Sequence, residues 1–208
     1  MPAASFGDRA VVITEVEHPH RHQSVLAALF PDAIVRVGHD ALLIEFDAPR
    51  SDLGALCAAA EVAMGLAVLE PAMVTERIHE VELRYDGPDL ASAADLLGIE
   101  TATLIERHQL TRWRVAMIGF APGFPYLTPE IVTSGDDFQW ELPRRTTPRP
   151  RVPAGSVAIA AGMSAIYPTA MPGGWHLIGT TTLRLFDPER VPATLFHIND
   201  LITFKAIG

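Results

Sequence analysis

The chain has 208 residues, 49% hydrophobic and 20% charged, with a net charge of -9, which suits one large or two small folded domains. The acidic balance excludes nucleic acid and anionic membrane as main partners, since both gain from counterion release onto a basic face. A single cysteine, Cys57, excludes an internal disulfide, and a single lysine, Lys205, excludes a GxxxxGK phosphate loop and a mid-chain Schiff-base lysine.

In chain order, the opening MPAASFGDRAVV lacks an apolar h-region, so no secretory signal is expected and the chain is assigned to the cytoplasm. Residues 9–16, 33–37 and 41–46 are short branched-rich runs that predict strands, with Gly38, His39 and Asp40 turning a hairpin between the last two. His18, His20 and His22 in HPHRH have metal-like spacing but no acidic or thiol companion, so a solvated loop and no metal are expected. Ser51 is placed as an N-cap, Leu53, Leu56, Cys57, Ala60 and Met64 recur at helical spacing with Cys57 in the core, and Gly65 is the expected stop. This order makes a small α+β sandwich.

Residues 79–85 alternate again as a strand, and the domain boundary is set there, giving domains 1–77 and 78–208. Two short helices follow, one from Pro88 with Leu90, Ala94 and Leu97 on one face and Gly98 as its end, one capped by Thr101 with Leu104, Ile105 and His108 on one side. Beyond them 113–118, 156–160, 165–167, 175–178, 182–186 and 201–206 predict strands of a closed barrel or sandwich, and the acidic stretch 128–141 a long loop. Residues 152–183 contain no Asp, Glu, Lys or Arg, yet their prolines and glycines would leave backbone groups unpaired in lipid, so buried strands rather than a membrane span are expected.

Three loops combine glycine, proline and aromatics, the composition of a stiff-walled pocket: 119–127 (GFAPGFPYL), 143–156 and 167–179. The second carries Arg144, Arg145, Arg149 and Arg151 in an otherwise acidic chain. Arg144 and Arg149 suit bidentate capture of a carboxylate or a phosphorylated group. The competing reading pairs them with Asp136, Asp137 and Glu141 or with a partner protein. His176 is a candidate general base. Ser156 lies in AGS rather than GxSxG, with no base nearby, and is assigned to strand backbone. Tyr167 and Trp175 suit a ligand wall or barrel core equally.

The strings HEVELRYDGPDL, RVAMIGFAPGFPYL, LPRRTTPRPRVPAGSVAIAAG and IYPTAMPGGWHLIGTT, with GDRAVVITEV near the start, resemble the signature blocks of the family variously called KipI, PxpB (the B component of the bacterial ATP-dependent 5-oxoprolinase) and allophanate hydrolase subunit 1. The resemblance implies a fold of class α+β, a ferredoxin-like domain followed by a cyclophilin-like β-barrel of the carboxyltransferase type. It implies a KipA/PxpC-type partner (allophanate hydrolase subunit 2), a third subunit in the 5-oxoprolinase, and ATP, whose phosphates must be gripped by arginine, backbone amides or a partner chain. Positions matching the family's motifs are Phe120, Pro122, Gly123, Phe124 and Tyr126; Arg144, Arg149, Pro153, Gly155 and Ser156; and Tyr167, Pro168, Gly173, Gly174 and Trp175. The chain departs from the family at Ala161, Gly162, Met163, Ser164 and Ala165, where GGQTG is usual, and at Gly179, Thr180 and Thr181, where GRT is usual.

The expected function is therefore a subunit, inactive alone, of an ATP-dependent 5-oxoprolinase that opens a lactam to glutamate, with Arg144, Arg149 and His176 catalytic and the remaining matched residues, Pro168 excepted, binding substrate. The alternatives are an allophanate hydrolase or urea carboxylase-type carboxyltransferase subunit, and a KipI-type histidine kinase inhibitor without catalysis. Prolyl isomerase activity, resting on architecture alone, ranks last.

Overall fold

The computed structural model describes residues 2–16, 19, 22–38, 40–67, 77–130 and 138–208. The chain divides into two compact units, Met1–Thr75 and Glu76–Gly208.

In the first unit β1 (Ala3–Ser5), β2 (Ala10–Ile13), β3 (Ala33–Val37) and β4 (Leu42–Phe46) form an antiparallel sheet in the order β1-β2-β4-β3. Helix α1 (Gln23–Leu29) follows β2 and α2 (Leu53–Ala67) follows β4. Alternation sorts the strands: Leu42, Ile44 and Phe46 are buried, Leu43 and Glu45 between them are not. Leu26 of α1 and Ala60 and Met64 of α2 close this core.

Three details differ from the sequence reading. Asp52 rather than Ser51 caps α2, its carbonyl accepting the Leu56 N–H and its carboxylate held by Arg50 at 2.9 Å. Gly65 does not stop the helix, because the alanine-rich run around it has propensity enough to carry it through to Ala67. His22 is buried at the head of α1, so that part of HPHRH is not solvated. His18, His20 and His39 lie outside the described residues.

The second unit contains β5 (Ile78–Leu83), α3 (Leu90–Leu96), α4 (Thr101–Leu110), β6 (Trp113–Ile118), β7 (Pro125–Pro129), β8 (Arg149–Val152), β9 (Ser156–Ala160), β10 (Met163–Ile166), β11 (Met171–Gly173), β12 (His176–Thr180) and β13 (Leu201–Ala206). Seven strands join in the order β12-β9-β10-β7-β6-β13-β5, while β8 and β11 form a separate two-stranded ribbon. Arg84, just past β5, and Thr180, ending β12, exchange backbone hydrogen bonds of 2.9 and 2.8 Å, so the sheet is a nearly closed barrel. The seam demands glycine: a Cβ on Gly179 would stand 2.3 Å from the Arg84 carbonyl oxygen.

All seven strands feed one interior cluster, among them Leu83, Trp113, Leu127, Ile159, Ile178 and Phe204, joined by Ala93 and Ala94 of α3 and Leu104 of α4. Within this interior His108 is fully buried and fully engaged. Its ring nitrogens meet the Tyr85 hydroxyl at 2.9 Å and the Ser164 hydroxyl at 3.1 Å, and its carbonyl accepts the Trp113 indole N–H. Its ring stacks on Phe204 at 4.4 Å. Burial pushes its pKa down to about 3, so it is neutral at ordinary pH.

Strands β7 and β8 form where the sequence suggests loops. Prolines bound β7, and its interior still alternates, with Leu127 buried and Tyr126 on the other face. The expected strand at 182–186 reduces to one bridge, Phe186 to Thr194. Of the expected loop 128–141, Thr128 and Pro129 belong to β7, 131–137 lie outside the described residues, and Phe138 and Trp140 pack into the interior cluster. No helix of the described residues is long and apolar enough to cross a membrane.

Candidate functional site on the outer wall of the barrel

The three loops come together on the outer wall. Strand β9 is buried on both faces: Val157 and Ile159 point inward, Ala158 and Ala160 outward. Across the strands Tyr126 pairs with Ala165, Ala165 with Ala158, and Ala158 with Leu177. Small alanines therefore make a low floor, around which Phe124, Tyr126, Tyr167 and Trp175 pack as one cluster with Val152 and Met171 of the β8–β11 ribbon. Phe124 meets Tyr126 at 5.0 Å and Tyr167 at 5.1 Å, and Tyr126 meets Trp175 at 5.9 Å.

This is a packed aromatic patch rather than an open cleft. Phe124, Tyr167 and Trp175 are buried, Tyr126 is half-buried, and Phe120 projects with 70% exposure. The turn carrying Phe120 is tight. Ala121 to Phe124 forms a turn closed by Phe124 N–H to the Ala121 carbonyl at 3.0 Å, with Pro122 first and Gly123 (φ 74°) second of the central pair, the arrangement of a type II turn. Phe120 itself has φ 69° and sits at the centre of a γ-turn closed by Ala121 N–H to Gly119 O at 2.8 Å. Positive φ in a bulky residue is strained, and here it aims an aromatic ring at solvent.

Pro153 and Gly155 make a second turn that leads into Ser156, whose carbonyl accepts the Tyr167 N–H at 2.9 Å within the strand ladder. Gly155 has φ 78°, and a Cβ there would stand 2.2 Å from the Thr181 carbonyl oxygen. A Cβ on Gly173 would lie 2.2 Å from the Tyr167 hydroxyl, so that hydroxyl rests directly on the Gly173 backbone. Pro168 follows in the turn between β10 and β11.

Among the arginines the structure makes a sharp division. Arg149 Nη1 and Nη2 donate to both oxygens of Asp89 at 2.8 Å, and Arg145 Nη1 donates to Asp89 Oδ1 at 2.8 Å. The Leu177 N–H adds a fourth bond at 2.8 Å. Burial works to raise the Asp89 pKa, but hydrogen bonds from Arg149 and the Leu177 amide and the charges of both arginines outweigh it, holding the carboxyl below its usual range. Arg149 thus has an acidic partner, as the second reading of the sequence expects, but it is Asp89; Asp136 and Asp137 lie outside the described residues. Arg144 is exposed and makes no ion pair among the described residues.

His176 is buried, and its Nε2 donates to the Pro143 carbonyl at 2.9 Å, pinning the residue before Arg144; its Nδ1 is buried without a partner among the described residues. Arg145 N–H donates to Gly174 O at 2.8 Å, which pins the other side. Sequence reasoning passes over Asp89, which there reads as an ordinary acid entering α3; only the closure of the barrel brings it beneath the arginine loop. Among the described residues no group of three or more His, Cys, Asp or Glu is placed to hold a metal ion.

The family described as carboxyltransferase domain, subdomain C and D, matches residues 8–196. The 5-oxoprolinase B component of Bacillus subtilis is 39% identical over 144 residues, covering 68% of this chain and 58% of that one. Its Escherichia coli counterpart is 42% identical over 141 residues, covering 65% and 60%. The chain thus spans less than two thirds of the length of the curated relatives it matches. Among solved structures, TTHA0988 superposes with a TM-score of 0.73 at 31% identity, covering 96% of this chain and 40% of that one. The Kluyveromyces lactis urea carboxylase superposes with a TM-score of 0.74 at 16% identity, covering 99% and 22%, a likeness of fold alone. The chain belongs to the carboxyltransferase-domain family, subdomains C and D, in the branch that contains the 5-oxoprolinase B components.

Proposed function

We propose that this chain is the B-type component of a heteromeric, ATP-dependent 5-oxoprolinase, opening the lactam of 5-oxoproline to glutamate together with a KipA/PxpC-type subunit and a third chain. The observation that carries the reading is that the matched loops meet on one outer face of the barrel, where Arg144 and Phe120 are left exposed. A wall with so little depth suits a site completed by another chain.

In this reading Arg144 acts on substrate directly, while Arg149 and His176 act through the loop that carries it, by way of Asp89 and the Pro143 carbonyl. ATP is assigned to a partner chain. The lone lysine, Lys205 of β13, lies 3.4 Å from Glu80 of β5, and the sequence has no phosphate loop to cradle a nucleotide. A ferredoxin-like first domain is supported by the order β2-α1-β3-β4-α2 with β4 central between β2 and β3, β1 occupying the remaining edge. A cyclophilin-like second domain is supported by the near-closed barrel with α3 and α4 packed into its core.

The test is co-purification with the KipA-like protein, addition of the third chain, and an assay of ATP-dependent 5-oxoproline cleavage. Glutamate release that needs all three proteins and ATP is the expected result. A stable complex of the three that cleaves no 5-oxoproline would refute the assignment.

A further inference from the structure

Tyr126 and Tyr167 are neighbours by register. Tyr126 pairs with Ala165 across β7 and β10, and Tyr167 lies two residues beyond Ala165, on the same face and diagonal to Tyr126. Both rings lean on Phe124, and neither hydroxyl has a hydrogen-bond partner among the described residues. Burial raises the pKa of both phenols, opposed by the charge of Arg144 at each and of Arg149 as well at Tyr167, so both remain protonated donors at neutral pH. The loop bearing Arg144 is fixed from two sides, by His176 on Pro143 and by the Arg145 amide on Gly174, next to the Gly173 backbone on which the Tyr167 hydroxyl rests.

Three donors are therefore carried on one stretch of the outer wall, and among the described residues no protein acceptor serves them. Such a set calls for an oxyanion. Asp89 already engages Arg145 and Arg149, which leaves Arg144 as the guanidinium of the three whose fork is open, and its parallel N–H donors match a planar group with two oxygens. The exposed ring of Phe120, edge-on to Phe124 at 5.7 Å, supplies an apolar flank beside it.

We propose that Arg144 and the hydroxyls of Tyr126 and Tyr167 form a receptor for the carboxylate of a small substrate, with Arg149 and Asp89 supporting the loop rather than touching the anion. This rests on the reading of the outer wall as a substrate-binding face and names the groups that do the holding.

The test is direct binding to the full chain by ligand-observed NMR and calorimetry, using 5-oxoproline, its neutral carboxamide and inorganic phosphate as probes. 5-Oxoproline is expected to bind, and the carboxamide about tenfold more weakly or worse. Arg144→Gln is expected to cost about tenfold in affinity, and Tyr126→Phe and Tyr167→Phe about three- to tenfold each, with unchanged circular dichroism. Arg151→Gln, at an exposed arginine of the same loop, should bind as wild type. Equal binding of acid and carboxamide, wild-type affinity in the three variants, tighter binding of phosphate than of the carboxylate, or no binding of 5-oxoproline up to about 50 mM each overturns the receptor. Its failure and that of the proposed reaction are separable. If the assembled complex opens no lactam while the three groups still hold the carboxylate, the reaction falls and the receptor stands. If turnover keeps its full kcat/KM in the Tyr126→Phe, Tyr167→Phe double variant, the reaction stands and the receptor falls.

Discussion

The two faces of the barrel wall treat polar groups in opposite ways. Inside, His108 has both ring nitrogens and its carbonyl engaged, and its ring packs among the aromatics Trp113, Trp140 and Phe204. Outside, on the same wall, Tyr126, Tyr167 and Arg144 have no such partners among the described residues. An unmade hydrogen bond in a low-dielectric interior costs about 1–3 kcal/mol, so a fold tolerates open donors only where water or a ligand can serve them. The difference is the one the proposed receptor requires, an inner face for stability and an outer face for binding, and substitutions on each side should separate along that line.

The largest effect is expected inside. Trp113 is fully buried, tilted against Trp140 at 5.0 Å and bonded to the His108 carbonyl. Trp113→Ala should lower stability by about 3–5 kcal/mol, seen as a shift of the urea midpoint, and should lower activity only through unfolding. A small change would mean that this interior is loosely packed and the contrast between faces is weak.

Asp89 stands between the two faces and should come next. Removing its charge leaves Arg145 and Arg149 without their shared partner, at a cost of about 3 kcal/mol, the low end for a buried pair because both arginines keep partial contact with water. The pH dependence follows from the sign of its shift. A carboxyl held below its usual range in the folded state contributes stability that is complete above the unfolded value of about 3.9 and is lost as pH falls through the folded one. Asp89→Asn should therefore be less stable at neutral pH and should lose less on acidification below about pH 4.

The interior has a separate acid window. With His108 held at about 3 when folded and about 6.5 when unfolded, the unfolded chain binds the extra proton first, so stability falls from about pH 6.5 downward by up to about 1.4 kcal/mol per pH unit. His108→Gln, which can still bond Tyr85 or Ser164, should flatten that decline between about pH 6.5 and 4 while leaving the lower step of Asp89 in place. A decline of unchanged slope in the variant would remove His108 from the account.

How far the sequence carries also divides along the wall. Interior strands such as β6, β9 and β13 are legible because alternation or an unbroken apolar run dictates them. Strand β7 is hidden by prolines at both ends, and β8 by its charge, since Arg149 and Arg151 read as loop until β11 supplies their partner. The aromatics and Arg144 are legible as a cluster from composition. What no local pattern encodes is which arginine is free. That depends on Asp89, some sixty residues earlier, arriving through the seam between Arg84 and Thr180.

The smallest effect on stability, and the most informative, is expected from comparing Arg144 with Arg149. Arg149→Lys keeps the charge but replaces a two-pronged grip on Asp89 with a single ammonium, which should cost about 1–2 kcal/mol in a urea titration. Arg144→Gln removes an exposed side chain with no ion pair among the described residues, so its stability should stay within about 0.5 kcal/mol of wild type. Turnover by the assembled complex should rank them the other way, with Arg144→Gln losing far more kcat/KM than Arg149→Lys. If the two variants instead lose stability and turnover in the same proportion, the outer wall holds its arginines for structure alone, because a ligand-facing group is the kind whose loss turnover feels and the fold does not.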